Sequence, residues 1–351
     1  MDNGQLTMDN IHIPNSSLQE KELLQNCGLF EDSLSIGEGG GRGKVVVFYY
    51  TQTGQALEVV QKVCEPLEVN GLQVIYKEII PEEPFPFPWT IRAFLQTFPE
   101  SRLFVPCRLK AIDLSDVQDA DLVMVAGQSW YLSLSIPMHG FFQSDEIMNY
   151  LKGRKIVTVD GCRNMWVMKQ LKTKEYIHKI EGEYVGAIVL QDKAPNLISA
   201  VTILRWLLKN KKEATHFLPA AGISPEDLQQ SSCFGEIILD ALKHDRFDTL
   251  QARLMEKKAL TFLPTVYFVE KAGFKLWGQW ARFILKKGPY NSPAREPFLR
   301  LFKYYLFFVL FILSPFGLLF FYFTYPFRRA SLRKAEHEIC CELGWSDKNV
   351  L

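Results

Sequence analysis

Lys44-Val45-Val46-Val47-Phe48-Tyr49-Tyr50 runs directly into Thr51-Gln52-Thr53-Gly54-Gln55, and this junction decides the fold. After Lys44 the run is continuously apolar, β-branched and aromatic, with no polar alternation. Such a run reads as a strand buried on both faces, the signature of a parallel sheet. A helical pattern follows from Ala56 to Glu68, with Leu57, Val60, Val63 and Leu67 on one face. The same alternation then repeats. Strands are expected at Leu72–Ile79, Ala120–Gly127, Lys155–Gly161 and Tyr184–Leu190, with helical patterns at 136–151, 164–180 and 196–209. Five strands at this spacing argue for an α/β fold, a doubly wound five-stranded parallel sheet.

Outward from the sheet, residues 1–43 read as a flexible, Gly-rich leader, and 44–210 as the sheet domain. Residues 81–119 interrupt that domain. This insertion opens with Pro84-Phe85-Pro86-Phe87-Pro88-Trp89, where alternate residues lack an N–H and so exclude helix and inner strand. It reads either as a lid over a flat or apolar ligand or as a packed cover on one sheet face. Residues 211–265 form a helical accessory region. From 266 to 351 the pattern changes to an amphipathic helix, an apolar segment at 304–327 and a basic tail.

In the amphipathic helix Phe274, Trp277, Trp280 and Ile284 share one face and Lys275, Gln279, Arg282 and Lys286 the other. That pattern suits a helix lying in a membrane interface, or one packed on the domain. Tyr304–Phe327 carries no charge over about 24 residues, roughly 36 Å as a helix and long enough to cross a bilayer. Ser314-Pro315-Phe316-Gly317 sits at its midpoint. Basic residues flank both ends (Arg300 and Lys303 before, Arg328, Arg329, Arg333 and Lys334 after). Two basic flanks favour a re-entrant hairpin with both ends on the cytoplasmic side of the inner membrane.

Composition limits the function. Lys+Arg 40 against Asp+Glu 39 gives a net charge of +1, so no global field draws the chain to nucleic acid. Hydrophobic residues make up 48%, enough for a full core. The seven Cys and six His are dispersed, with no CxxC or HxxxH spacing. A protein-built metal site is therefore not expected, and a reduced, cytoplasmic compartment is.

Ligands of an open α/β sheet bind beyond the carboxyl ends of the strands. Three loops are expected to meet there. Thr51, Gln52, Thr53, Gly54 and Gln55 combine hydroxyls, amides and a helix N-terminus, a cradle for a phosphate. The alternative is simple capping of the helix by Thr53. Gln128, Ser129, Trp130 and Tyr131 offer two aromatics for stacking on a planar ring, and Gly161, Cys162, Arg163 and Asn164 mix glycine with donors.

These loops resemble those of flavodoxin-like proteins, whose phosphate loop reads Ser/Thr-x-Thr-Gly-x-Thr. Thr51-Gln52-Thr53-Gly54-Gln55 matches through five positions, and Ala56 stands where the last hydroxyl is expected, removing one phosphate hydrogen bond. The resemblance covers residues 44–209. It implies FMN, with Thr51, Gln52, Thr53 and Gln55 near its phosphate and the loops at 128–131 and 161–164 near its ring. A narrower resemblance rests on Pro84–Trp89, Gly161-Cys162-Arg163-Asn164-Met165-Trp166, Ala194–Leu197 and Thr202–Trp206. These look like the bacterial family labelled dialkylresorcinol condensing enzyme, of dialkylresorcinol and flexirubin-type pigment biosynthesis. It implies a hydrophobic dialkyl substrate, membrane lipid around it, and ketosynthase-like and acyl-carrier partners. No thiolase Cys-His-His or Cys-His-Asn set is evident here, so the resemblance implies FMN-dependent aromatisation of a dialkyl cyclohexane-1,3-dione, or assistance to its cyclisation.

For that oxidation the candidate catalytic residues are Asp160 as base, Arg163 and Asn164 as holders of an enolate oxygen, and Tyr131. Asp160 reads more readily as a structural group closing a turn, as polar residues at strand ends commonly do. Two other functions use the same loops: a flavodoxin-type NAD(P)H:quinone reductase, and a flavin-free scaffold for a ketosynthase.

Overall fold

The computed structural model describes residues 43–345. The leader expected over 1–43 lies outside the described residues, apart from Gly43, as do the last six residues. The chain order is β1 (Lys44–Tyr49), α1 (Gln55–Val69), β2 (Gln73–Glu78), α2 (Ile91–Gln96), α3 (Phe98–Arg102), β3 (Leu122–Trp130), β4 (Ser133–Leu134), α4 (Ile136–Phe142), α5 (Asp145–Leu151), β5 (Lys155–Cys162), α6 (Val167–Ile180), β6 (Glu183–Gln191) and α7 (Asn196–Lys209). Then come α8 (Pro225–Gln230), α9 (Ser232–His244), α10 (Leu250–Glu256), α11 (Pro264–Leu285), α12 (Glu296–Phe308) and α13 (Ser314–Cys340).

The strands pair in the order β2-β1-β3-β5-β6, and each of those pairings is parallel. Five long parallel strands in this order make a flavodoxin-like, doubly wound sheet, and strand order reverses between β1 and β3. The buried runs that identified the strands fill both faces. On one side Val45, Val47, Met124 and Ile188 pack with Val59, Val60 and Val63 of α1 and with α9 and α10. On the other, Val46, Phe48, Val123 and Val125 pack with α4, α5 and α6. Gly235 lets α9 touch α1 backbone to backbone, since a Cβ there would lie 1.9 Å from the Val63 carbonyl oxygen.

Three local expectations need correction. The helix expected over 136–151 is two helices, α4 and α5, broken at Gln143-Ser144. The third strand runs on through Trp130, and β4 folds back on it antiparallel with Trp130 opposite Ser133. The hairpin between them consists of Tyr131 (φ 50°) and Leu132 (φ 63°). Both adopt a left-handed conformation that bulky residues avoid, at about 1–3 kcal/mol each, and surrounding contacts must hold them there. The third correction concerns α11, which does not offer its Trp face to lipid. Phe274, Trp277 and Ile284 are buried with Phe98 of α3, Met168 of α6 and Phe302 of α12, so α11 is packed on the domain.

The C-terminal segment is corrected too. Ser314-Pro315 does not reverse the chain, because one helix runs from Pro293 to Cys340. Residues Val309–Leu313 form a π-helical turn in which the Ser314 amide donates to the Val309 carbonyl. Pro315 follows directly, where the π turn has already broken the regular i→i−4 ladder that a proline would interrupt. Among the described residues this is the one helix long and apolar enough to cross a bilayer.

The insertion holds this extension in place through α3, whose five residues are all buried. Phe98 stacks on Phe302 at 3.8 Å between centroids. Ser101 Oγ lies 2.9 Å from the carbonyls of both Trp130 and Leu134 and shares its one proton between them, fixing the strained hairpin. Arg102 Nε donates to the Phe274 carbonyl at 2.8 Å. Glu100 accepts two hydrogen bonds from Arg295 at 2.7 and 2.9 Å, and the Arg295 side chain is wholly buried. Removing one partner from such a pair strands a buried charge. Arg295→Met is expected to destabilise the protein by about 3–5 kcal/mol, and the double variant with Glu100→Met to recover most of that loss. Urea unfolding midpoints of the three proteins check this.

Candidate functional site

The three loops expected at the strand ends follow β1, β3 and β5, which are neighbours in the sheet, and so they meet at the reversal of strand order. In the first, Gly54 caps α1 with φ 87° and no side chain caps the helix, which removes Thr53 capping as the explanation of the motif. Among the described residues no amide from Thr51 to Leu57 donates to a protein acceptor. Space is open around Gly54, where an added Cβ would meet nothing within 4 Å. Free amides at the start of a 15-residue helix, beside two threonine hydroxyls, suit a phosphate without a lysine.

Besides its free amide, Gln52 has a side chain with a second job. Its Nε2 donates to the Pro86 carbonyl at 2.8 Å, and its Oε1 accepts from Trp89 Nε1 at 2.7 Å, so it ties the proline-rich stretch to the phosphate loop. Gln55 lies under the strap that follows α7. A Cβ on Gly222 would fall 2.5 Å from Gln55 Nε2, and that Nε2 is buried without a partner.

In the second loop Gln128 Nε2 donates to Thr51 Oγ1 at 3.5 Å, which joins the two loops. Trp130 meets Tyr50, Phe85 and Trp89 edge-on at 5.9, 5.2 and 5.3 Å. Tyr131 packs on Phe94 and Phe98 at 5.1 and 5.2 Å and donates its hydroxyl to the Phe94 carbonyl at 2.5 Å. Other aromatic rings of the protein thus brace both side chains, which are also part of the cavity lining. Ser129 Oγ is buried with no partner.

In the third, Asp160 pairs with Lys169 of α6, both side chains about 5% exposed. Burial raises the Asp160 carboxyl and Lys169 opposes that. Its partner gives Asp160 the structural role rather than that of a base. Gly161 backs onto Ile223, which a Cβ would approach to 2.9 Å. Burial drives the Cys162 thiol far up, so it is no thiolate nucleophile. Asn164 Nδ2 donates to Asn196 Oδ1 at 3.2 Å, while its Oδ1 is buried and unpartnered. The phosphate cradle thus fits an FMN phosphate, and the orphaned polar atoms of Gln55, Ser129 and Asn164 are groups a bound heterocycle would satisfy.

Sequence reasoning missed the cavity beside these loops. It measures about 430 Å³ and is walled by Ser129–Leu132, Arg163 and Met165, by one face each of α7 and α11, and by Leu306, Leu310, Leu313 and Gly317 of the apolar helix. Arg163 is the one charged side chain in that lining. It donates to the Asn196 carbonyl at 3.0 Å, makes no ion pair among the described residues, and burial lowers its pKa. A partly buried cation with no direct ion pair, only the more distant carboxyls of Asp192 and Glu270, at the wall of an apolar cavity, suits a ligand that carries an oxyanion on an apolar body. Trp277, also in the lining, has an unpartnered indole N–H.

Glu270 of α11 was missed as well. It is wholly buried, accepts from the Met168 amide at 2.8 Å at the start of α6, and leaves Oε2 without a partner. Burial raises its pKa from 4.5 to about 8, opposed by the amides of Met168 and Val167. The folded protein therefore keeps this proton between pH 4.5 and about 8 while the unfolded chain has lost it, so stability falls as pH rises through that window. Glu270→Gln keeps the acceptor and removes the titration. Its stability relative to the parent is expected to rise between pH 5.5 and 7.5, at a slope approaching about 1.4 kcal/mol per pH unit, as measured by urea unfolding at the two pH values.

No protein-family model matches the chain, and no curated protein matches it. Among solved structures it is similar to a flavoprotein in complex with FMN from Lactobacillus acidophilus NCFM, at 13% identity over 42% of this chain and 93% of that one, with a TM-score of 0.35. It is similar also to a flavodoxin from the domain Archaea, at 13% identity over 57% and 99%, TM-score 0.34, and to the flavodoxin of Streptococcus pneumonia TIGR4, at 16% identity over 55% and 96%, TM-score 0.31. The flavodoxin-like fold rests on the strand order and register, not on these distant likenesses.

Proposed function

We propose that this protein is a membrane-associated, FMN-dependent oxidoreductase that aromatises a dialkyl cyclohexane-1,3-dione to a dialkylresorcinol. The observation that carries the reading is the apolar cavity with a single cation, Arg163, opening beside the phosphate loop's neighbours at the strand ends. A cyclic 1,3-dione is acidic between its carbonyls, and its enolate is the oxyanion that a partly buried guanidinium stabilises. Its alkyl chains suit the walls contributed by α7, α11 and the apolar helix.

Aromatisation removes two hydrogens from the ring, one as a proton lost to water on enolisation and one as hydride, for which FMN when bound is the acceptor. The amides of Thr51–Leu57 would hold its phosphate. Arg163 would hold the enolate oxygen, Ser129 Oγ and Asn164 Oδ1 would meet polar edges, and the packed Trp89–Trp130 cluster would keep water out. No protein base is required, because the dione ionises at neutral pH. Forming the carbon skeleton is left to a ketosynthase-like partner with its acyl carrier, and the reduced flavin to reoxidation by a quinone or oxygen.

The visible spectrum of detergent-purified protein is expected to show a flavin band, with FMN released on heating, and the protein to convert a dialkyl dione to the resorcinol. Arg163→Gln should retain the flavin and lose about 10²-fold in turnover. A colourless protein that binds no added FMN would sink this function.

A further inference from the structure

We infer that the apolar helix does not cross the bilayer: it lies along the protein surface with one face sunk into a single leaflet. Its two ends are fastened to the same body. At the start Arg295 is locked to Glu100 of α3, and Phe302 stacks on Phe98. At the far end the buried Lys174 ammonium, on α6, donates to the carbonyls of Glu338 and Ile339 at 2.9 Å and to that of Glu342. Gln251 Nε2, on α10, donates to the Cys340 carbonyl at 2.6 Å. A spanning helix puts its ends on opposite sides of a membrane, and these ends share one side.

Between the ends, burial follows a helical stripe. Phe302, Leu306, Leu310, Gly317 and Phe321 face the body at spacings of four and seven residues. Phe321 packs on Phe268 of α11 at 5.3 Å, and Trp280 of α11 on Tyr305 at 5.2 Å, so α11 runs alongside the apolar segment and touches it towards both ends. The outward stripe is apolar throughout. Phe307, Phe308, Phe316, Leu319, Phe323 and Phe327 are between 45% and 86% exposed, an aromatic surface far beyond what water-facing proteins leave contiguous.

Hydrocarbon is the occupant that this surface fits. Basic residues border it in the manner of an interfacial helix, with Arg300 before it, Arg328, Arg329 and Arg333 after, and Lys271, Lys275 and Arg282 along the exposed side of α11. This orientation would also set the cavity one helix thickness from the leaflet.

The inference rests on membrane association and is separable from it. The full chain carrying Ala294→Cys, beside the native exposed Cys341, would be labelled in sealed membrane vesicles with an impermeant maleimide, before and after detergent, and read by mass spectrometry. An in-plane helix predicts that both positions respond alike, their labelling ratio changing by less than about twofold on opening the vesicles. A spanning helix predicts that one position is shielded until detergent is added, with the ratio changing about tenfold or more, and that result overturns the inference alone. Protein that stays out of the vesicle fraction, including as a dimer closed over this face, overturns membrane association together with it.

Discussion

A doubly charged pair sealed from water, Glu100 with Arg295, holds the two halves of this molecule in one arrangement. Glu100 belongs to an insertion between the second and third strands, and Arg295 to the C-terminal extension. Two desolvated charges tolerate neither separation nor a shift of register, because either leaves a bare charge in an apolar interior. The neighbours of Glu100 extend the constraint. Phe98 fixes the apolar helix, Ser101 fixes the strained Tyr131-Leu132 hairpin, and Arg102 fixes α11. A five-residue helix therefore sets the relation between the sheet's carboxyl ends and the hydrophobic extension.

That relation creates the site. The phosphate loop and its neighbours come from the sheet alone, but the cavity takes one wall from the strand ends, one from α7 and α11, and one from the apolar helix. Aromatic side chains of the strand-end loop are braced by other rings and form part of the cavity wall. Trp130 is enclosed by Tyr50, Phe85 and Trp89, and Tyr131 by Phe94 and Phe98. Polar character is left at few points, namely Arg163, Ser129, Asn164 and the indole of Trp277, and so the site offers an apolar ligand little choice about where its oxygen can lie.

Buried ionisable groups divide by partner. Asp160 has Lys169 and closes a strand end, whereas Arg163 on the same loop has only carbonyl and thioether contacts. Glu270 has the amides at the start of α6 and keeps a proton at neutral pH. Of Asp160 and Arg163, Asp160 is the more deeply buried and is paired, while Arg163 is partly exposed and makes no direct ion pair among the described residues, and that difference favours the structural reading of Asp160.

By itself the sequence determined the sheet. Continuous β-branched runs at 44–50, 120–127 and 155–161 admit little but buried parallel strands, and the Thr51–Gln55 motif marked the turn from the first strand into the first helix, because both signals are local: a period and a backbone conformation. It also marked Tyr304–Phe327 as an uncharged segment long enough to cross a bilayer. The tertiary structure alone decided how these parts are used. Amphipathicity told that α11 has an apolar face but not whether lipid or protein covers it, since both solvents reward the same pattern. Pro315 was compatible with a reversal and with the first turn of a continuing helix, and the π-helical turn before it settled the matter. Pairing of Glu100 with Arg295, Asp160 with Lys169 and Lys174 with the last helical carbonyls joins residues far apart in the chain, where no periodicity reaches. The cavity belongs to the same class, because empty space is a property of three elements meeting and of no single one.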